Sequence, residues 1–236
     1  MQPDHLPDVI TIDGPAASGK STIGLMLAQR LDYLCLDTGS MYRALTLAAI
    51  WNGISPDDEE AVVQLAIDCD LDILPLAEET DGRHYTVLLE GVDATWDLRL
   101  PEVDAFVSQI SAYPGVRAEM VRRQRDVGHR GRVVMIGRDI GTVVMPDAVL
   151  KLYITASPEE RARRRLLDRR RQGYDDNYES ILADVTRRDN IDSSRKHSPL
   201  RPASDAIQID TTGRTAEEVI GEIMSLINHI QPEGRD

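Results

Sequence analysis

Short β-type runs alternate with helical periodicity along the chain. Val9-Ile10-Thr11-Ile12 is a compact apolar run that stops at Asp13-Gly14-Pro15, and beyond it Ile23, Leu27 and Leu31 share one helical face. This is an opening strand-helix unit. Further β-type runs at 33–36, 133–136, 149–154 and 206–209 each lead through polar turn residues into a helical stretch. Such alternation predicts an α/β domain, parallel strands with helices on both faces of the sheet.

Between positions 71 and 106 the pattern changes. Leu71-Asp-Ile-Leu74 and Tyr85-Thr-Val-Leu-Leu89 read as strands joined by the turn-forming Glu78-Glu-Thr-Asp-Gly82, which predicts a small antiparallel insertion. Ser157-Pro158-Glu159-Glu160 combines an N-cap, a proline at the first helical position and a capping-box glutamate, so a helix is expected from there to Gly173.

The 236 residues suit one domain with a sizeable core. No apolar run approaches the ~20 residues a membrane helix needs, which excludes a spanning protein of that kind. The first residues lack the basic and apolar regions of a secretory signal. With only Cys35 and Cys69, a disulfide framework is also excluded, and a cytoplasmic protein with reduced thiols is expected.

Net charge is −13, which argues against a general nucleic-acid coat. Its distribution is uneven. Residues 117–201 carry 20 Lys+Arg against 13 Asp+Glu, leaving −20 on the remainder, so that segment is expected to meet something anionic. The cations are nearly all arginine, either for that reason or through genome composition, and the only lysines are Lys20, Lys151 and Lys196.

Lys20 sits in Gly14-Pro15-Ala16-Ala17-Ser18-Gly19-Lys20-Ser21, followed by Thr22, a match to G-x-x-x-x-G-K-[ST] between a hydrophobic strand and an amphipathic helix. Glycines at 14 and 19 let the backbone curl with its N–H groups inward, and the helix N-terminus adds its positive end. Lys20 is then expected on the β- and γ-phosphates and Ser21 on Mg²⁺. Nucleoside triphosphate binding follows. No Asn-Lys-x-Asp guanine-reading motif is present and the chain is short for a motor, so phosphoryl transfer leads.

Three further segments narrow the class: Leu36-Asp37-Thr38-Gly39-Ser40-Met41-Tyr42-Arg43, Gly137-Arg138-Asp139-Ile140-Gly141-Thr142-Val143-Val144, and Arg188-Asp189-Asn190-Ile191-Asp192-Ser193-Ser194-Arg195. Together they resemble the bacterial cytidylate kinases, from about Val9 to the C-terminal helix. The resemblance implies a P-loop nucleoside monophosphate kinase fold with a five-stranded parallel sheet, an antiparallel monophosphate-binding insertion and a short lid. It also implies transfer of the ATP γ-phosphoryl group, with Mg²⁺, to CMP or dCMP. The expected division is a core at 8–62 and 107–230, the insertion at 63–106 and the lid at 158–175, in a single domain over 1–236. The partners implied are these nucleotides alone, with no nucleic acid or membrane, and the chain is expected to be a monomer.

Matching the family residue by residue, Thr38 and Arg43 fall where the acceptor nucleotide is contacted, Arg43 at its phosphate. Ser108, Arg117 and Asp139 fall on cytosine-reading positions, with Arg138 beside the acceptor phosphate. Arg188 and Asp192 match ribose contacts and Arg195 a phosphate contact. The chemistry fits: a carboxylate accepts from cytosine N4, while arginine and hydroxyl donate to O2 and N3. Uracil would face Asp139 with an acceptor. By position alone, Arg138-Asp139 equally describes a structural ion pair at a strand end.

Arg161, Arg164, Arg165 and Arg169 lie at i, i+3, i+4 and i+8 on the helix that begins at Pro158, with Arg163, Arg170 and Arg171 elsewhere. Such a stripe calls either for an anionic partner or for nearby acids such as Glu159, Glu160, Asp175 and Asp176. In the family's lid position the partner is the triphosphate, and Arg161, Arg164 and Arg165 with Lys20 and Arg138 are the catalytic candidates. Competing readings are an RNA-binding arginine helix, disfavoured by the acidic remainder and a single phenylalanine, Phe106, and a kinase with another acceptor such as UMP.

One position departs from the family pattern. The residue before Gly137 is commonly acidic there and helps organise Mg²⁺ through its water shell; here it is Ile136. Asp13 and Asp37, each expected at a strand's carboxyl end, are the candidates to take over that outer-sphere role.

Overall fold

A computed structural model describes residues 6–75, 81, 83, 85–171, 173–194 and 198–229. Five strands, β1 (Val9–Asp13), β2 (Leu34–Asp37), β6 (Val133–Gly137), β7 (Leu150–Thr155) and β8 (Ile207–Asp210), form one sheet in the order β2-β6-β1-β7-β8. β1 runs parallel to β7 in a register that sets Ile12 beside Leu152 and Asp13 beside Tyr153, and β7 runs parallel to β8. All five β-type runs of the sequence are strands, displaced by no more than one residue at either end. Three strands, β1, β6 and β7, are buried along nearly their whole length; β6 accordingly reads as a continuous apolar run, whereas β7 alternates in sequence and its Lys151 is buried on Asp205 at 2.6 Å.

The chain divides into two compact units. The first holds residues 1–32 and 134–236, with helices α1 (Lys20–Leu31), α6 (Pro158–Arg171), α7 (Tyr178–Ser194) and α8 (Ala216–His229). α1 buries Ile23, Leu27 and Leu31, the face expected from their spacing. α6 and α7 pack through Ala162, Leu166, Ile181 and Val185, with Tyr178 and Leu182 against them. α6 starts where the capping signal placed it: Ser157 Oγ accepts the Glu160 N–H at 3.2 Å. The reciprocal half of the box is absent, because Thr212 Oγ1 accepts the Ser157 N–H at 2.9 Å and the Glu160 carboxylate turns to arginines instead.

The second unit holds residues 33–133. Its helices are α2 (Gly39–Trp51), α3 (Glu59–Asp68), α4 (Pro101–Ile110) and α5 (Pro114–Gly128). An antiparallel sheet of β3 (Leu71–Leu74), β4 (Thr86–Leu89) and the short β5 (Val92–Asp93) lies among them. Leu71 pairs with Leu89 and Leu74 with Thr86, so the two sequence-predicted strands are partners. β5 was not foreseen; it is a two-residue extension across the Glu90-Gly91 turn. Most of the predicted turn at 78–82 lies outside the described residues. Cys35 and Cys69 are free and buried, and burial pushes the Cys35 thiol up to about 12.

Candidate active site

The loop from Gly14 to Gly19 is built by backbone that ordinary side chains resist. Gly14 has φ +148° and a Cβ there would strike the Ile154 carbonyl of β7; Gly19 has φ +94° and serves as the N-cap of α1. Ala17, at φ +60°, is left-handed without being glycine. No side chain caps α1, so its first turn directs positive backbone charge into the loop. Lys20 folds over the loop and its Nζ donates to the Pro15 carbonyl at 2.5 Å.

Beside the loop is a cleft of about 430 Å³ lined by 17–22 together with Arg164, Leu167, Asp168 and Arg171. Ser21 stands in the first turn of α1, exposed, and Thr22 beside it is exposed too. The loop floor is stiffened from below. Ser18 is fully buried, and its carbonyl accepts from Thr211 Oγ1 at 3.1 Å and from Arg164 Nη1 at 3.3 Å.

The arginine stripe of α6 is divided by its surroundings. Arg161 is only 3% exposed: Nε donates to the Ala156 carbonyl, Nη1 reaches the Ala16 carbonyl at 3.4 Å, and the two Nη atoms fork onto Asp189 at 2.8 and 2.5 Å. It is a strut between α6, α7 and the loop, not a wall of the cleft. Arg164 does line the cleft, with Nε on Glu160 at 2.8 Å and Nη2 on the Thr211 carbonyl at 2.7 Å. Arg165 is half-buried and outside the lining, where it helps Arg169 hold Asp176 below the usual carboxylate range. Arg169 lies over the Tyr174 ring, 3.6 Å from its centroid. Arg171, expected off the stripe's face, reaches the cleft instead. Like-charge repulsion on α6 is thus relieved by acids, Glu160 above all, whose carboxyl is held down to about 2 by hydrogen bonds from Arg163 and Arg164.

The residues expected around the acceptor fall into two groups. In the second unit, Thr38 precedes α2 and is buried, and Arg43 donates to the Leu98 carbonyl at 3.0 Å and pairs with Asp104 of α4 at 2.7 Å. Arg117 of α5 lies over the ring of Tyr42, the neighbour of Arg43, at 5.9 Å. Ser108 is exposed on α4, one turn beyond Asp104. Arg43 and Arg117 are therefore drawn to one end of α2. In the first unit, Arg138 forms an ion pair with the buried Asp192 of α7, and Arg188, exposed, lies one turn before Asp192. Asp139 follows Arg138 and leads into a π-turn at Ile140–Val144. Arg195 lies outside the described residues.

Asp13 has an occupation that the sequence did not reveal. Its carboxylate accepts the N–H groups of Ile140 and Gly141 at 2.9 and 2.8 Å, which ties the end of β1 to the Arg138-Asp139 segment. Burial pushes its pKa from 3.8 up to about 6 although these two amides pull the other way. Asp37 uses one oxygen to accept the Gly39 N–H at 3.0 Å at the start of α2.

Residues 10–229 match the family described as cytidylate kinase. The chain is 51% identical over 221 residues to a cytidylate kinase of Roseiflexus castenholzii, covering 94% of each chain. It is 43% identical over 224 residues to one of Bacillus pumilus, covering 95% of this chain and 97% of the other. The chain belongs to the cytidylate kinase family. Among solved structures, an uncharacterized protein of Eubacterium ventriosum shares the fold at a TM-score of 0.53 and 11% identity, covering 94% of this chain and 99% of that one.

Ile136, where the resemblance led to the expectation of an acid, has a structural reason. It is 2% exposed, and a Cβ on Gly24 of α1 would collide with its side chain, so Ile136 fills the gap that a helix glycine leaves over the sheet. Sequence reasoning missed Gly24, Asp189 and Thr211 as parts of the site's frame. The only signal for the last two was a polar residue in a segment already occupied by a motif or a turn.

Proposed function

We propose that the chain transfers the γ-phosphoryl group of ATP to CMP and dCMP, giving ADP with CDP or dCDP. The observation that carries this is the cleft between the phosphate loop and Arg164, on a chain whose family is that of the cytidylate kinases. The loop's N–H groups and the N-terminus of α1 hold the β- and γ-phosphates, and Lys20 leaves the Pro15 carbonyl to meet them. As the bond from the γ-phosphorus to the ADP oxygen breaks, one to a CMP phosphate oxygen forms in line. Arg164 and Lys20 face the charge spread over the transferring oxygens. Arg161 acts in this reading by holding α6 to the loop, not by touching phosphate.

Mg²⁺ fits the donor set. Ser21 offers a hydroxyl in the first turn of α1, and among the described residues no group of three or more His, Cys, Asp or Glu stands ready to hold a metal. A hard cation held by Ser21 would take its remaining oxygens from phosphates and water, as Mg²⁺ commonly does. When bound, it neutralises phosphate charge. Asp13 and Asp37 are proposed to act on its water shell, each within the limits of the amide bonds it already accepts.

For the acceptor, Arg43 and Arg138 serve the phosphate with Arg195. Arg188 and Asp192 serve the ribose, Thr38 the nucleotide as a whole, and Ser108, Arg117 and Asp139 the cytosine. Residues 63–106 form the monophosphate-binding insertion, and 158–175 the lid. Turnover with CMP, dCMP, UMP and AMP tests this: CMP and dCMP are expected to be used far better than the others. Equal efficiency with UMP would sink the cytosine-reading assignment, and Asp139→Asn is expected to reduce discrimination against UMP with little effect on ATP affinity.

A further inference from the structure

Thr211 lies just past the end of β8 and is 3% exposed. Its N–H donates to the Thr155 carbonyl of β7 at 2.9 Å, a bond that any residue except proline could make. The hydroxyl is more selective. It stands 3.1 Å from the Ser18 carbonyl and 3.1 Å from the Thr155 carbonyl, with one hydrogen to give, and it accepts Arg164 Nη1 at 2.9 Å. The Thr211 carbonyl takes Arg164 Nη2 at 2.7 Å, so one residue grips both terminal nitrogens of the guanidinium.

Glu160 holds Nε from the other side at 2.8 Å, and Arg164 Nη1 comes within 3.5 Å of where a Cβ on Gly19 would stand. A planar guanidinium fixed at all three nitrogens has little freedom to rotate. With the bond from Nη1 to the Ser18 carbonyl counted, one Nη2 hydrogen is left beyond these bonds. The same hydroxyl that orients the arginine also bonds the phosphate loop through Ser18, beside the longer direct bond from Arg164 Nη1 to the Ser18 carbonyl at 3.3 Å, so the Thr211 oxygen is shared by loop and arginine.

From this geometry we propose that Thr211 is a positioning residue for phosphoryl transfer: its hydroxyl registers the Arg164 guanidinium against the phosphate loop. The proposal rests on the reading of Arg164 given above. Small displacements of such a group lower rate more than binding, because the contact is strongest when charge develops.

The test is a double-mutant cycle on the full chain, with kcat and KM for ATP and CMP and thermal unfolding measured for each variant. Thr211→Val is expected to lower kcat about 10-fold with KM for CMP unchanged, and Thr211→Ser to restore it. In an Arg164→Ala background, Thr211→Val is expected to cost nothing further. If valine upsets the packing under the loop, Thr211→Ala takes its place in the cycle. Full additivity of the two substitutions, with Arg164→Ala itself impaired, overturns the positioning role and leaves the reading of Arg164 standing. Full turnover in Arg164→Ala removes the arginine from the reaction and the proposal with it. A serine variant as slow as the valine one, or a loss that follows the fall in melting temperature, also overturns it.

Discussion

Ile136 of β6 packs its side chain against Gly24 of α1, in the space where any other residue on the helix would carry its Cβ. The two residues make sense together: an apolar side chain where the resemblance led to the expectation of an acid, and a glycine inside a helix, where it costs about 1 kcal/mol relative to alanine. The contact brings α1, and with it the phosphate loop, down onto the sheet.

Replacing Ile136 by aspartate therefore does not simply restore an outer-sphere acid. Ile136→Asp puts a carboxylate where a side chain that is 2% exposed lies against Gly24, at a cost of roughly 3 kcal/mol or more. The melting temperature is expected to fall by several degrees, and the Mg²⁺ concentration for half-maximal rate to show no improvement. An unchanged melting temperature with a lower Mg²⁺ requirement would mean that the acid reaches the ligand edge after all.

Lys20→Ala is expected to leave unfolding unchanged and to lower kcat by about 10²-fold or more, since the bond that Nζ makes to the Pro15 carbonyl is a resting contact of a half-buried side chain. Steady-state kinetics beside a thermal melt decides it. Normal turnover would remove the phosphate-loop argument.

The Asp13 carboxyl gives stability a signed pH dependence. Its pKa is raised from 3.8 to about 6 by burial, so the folded chain binds this proton more tightly than the unfolded chain does. The stabilisation is complete below 3.8 and disappears as pH rises through 6. Asp13→Asn lacks this dependence. The wild-type stability minus that of the variant is expected to grow by roughly 1 kcal/mol from pH 7.5 to pH 5. Denaturant melts of both proteins at the two pH values check the sign; a difference that shrinks on acidification contradicts it.

Arg161 and Asp189 form a forked pair that is largely closed to water on the arginine side. Removing one member strands the other, so Arg161→Met or Asp189→Leu is expected to cost about 3 kcal/mol. Arg161→Met with Asp189→Leu is expected to regain much of that. Unfolding of the two single variants and the double variant measures the coupling, and simple additivity would show that the pair is not a unit.

Much of this was written in the order of residues. The five strands, the phosphate loop, the start of α6 and the β3-β4 hairpin are local features: each depends on period, turn chemistry or a cap within about ten residues, and those signals survive without knowledge of what packs where. The acceptor residues became legible only by resemblance, because isolated arginines and aspartates carry no local pattern.

What the tertiary structure alone decided is which partner each polar group found. Sequence spacing put Arg161, Arg164, Arg165 and Arg169 on one helical face, but a face about 100° wide borders several neighbours. α7 offered Asp189 to the first, the loop and Thr211 took the second, and Asp176 drew the last two. The strand order β2-β6-β1-β7-β8 was likewise invisible along the chain, and it is this order that sets β7 beside β1, so that the Ile154 carbonyl presses on Gly14. The physical reason is common to both. A sequence states what each residue can bond, whereas buried polar groups must be satisfied by whatever the packing brings within about 3 Å, and that distance is set by segments far away in the chain.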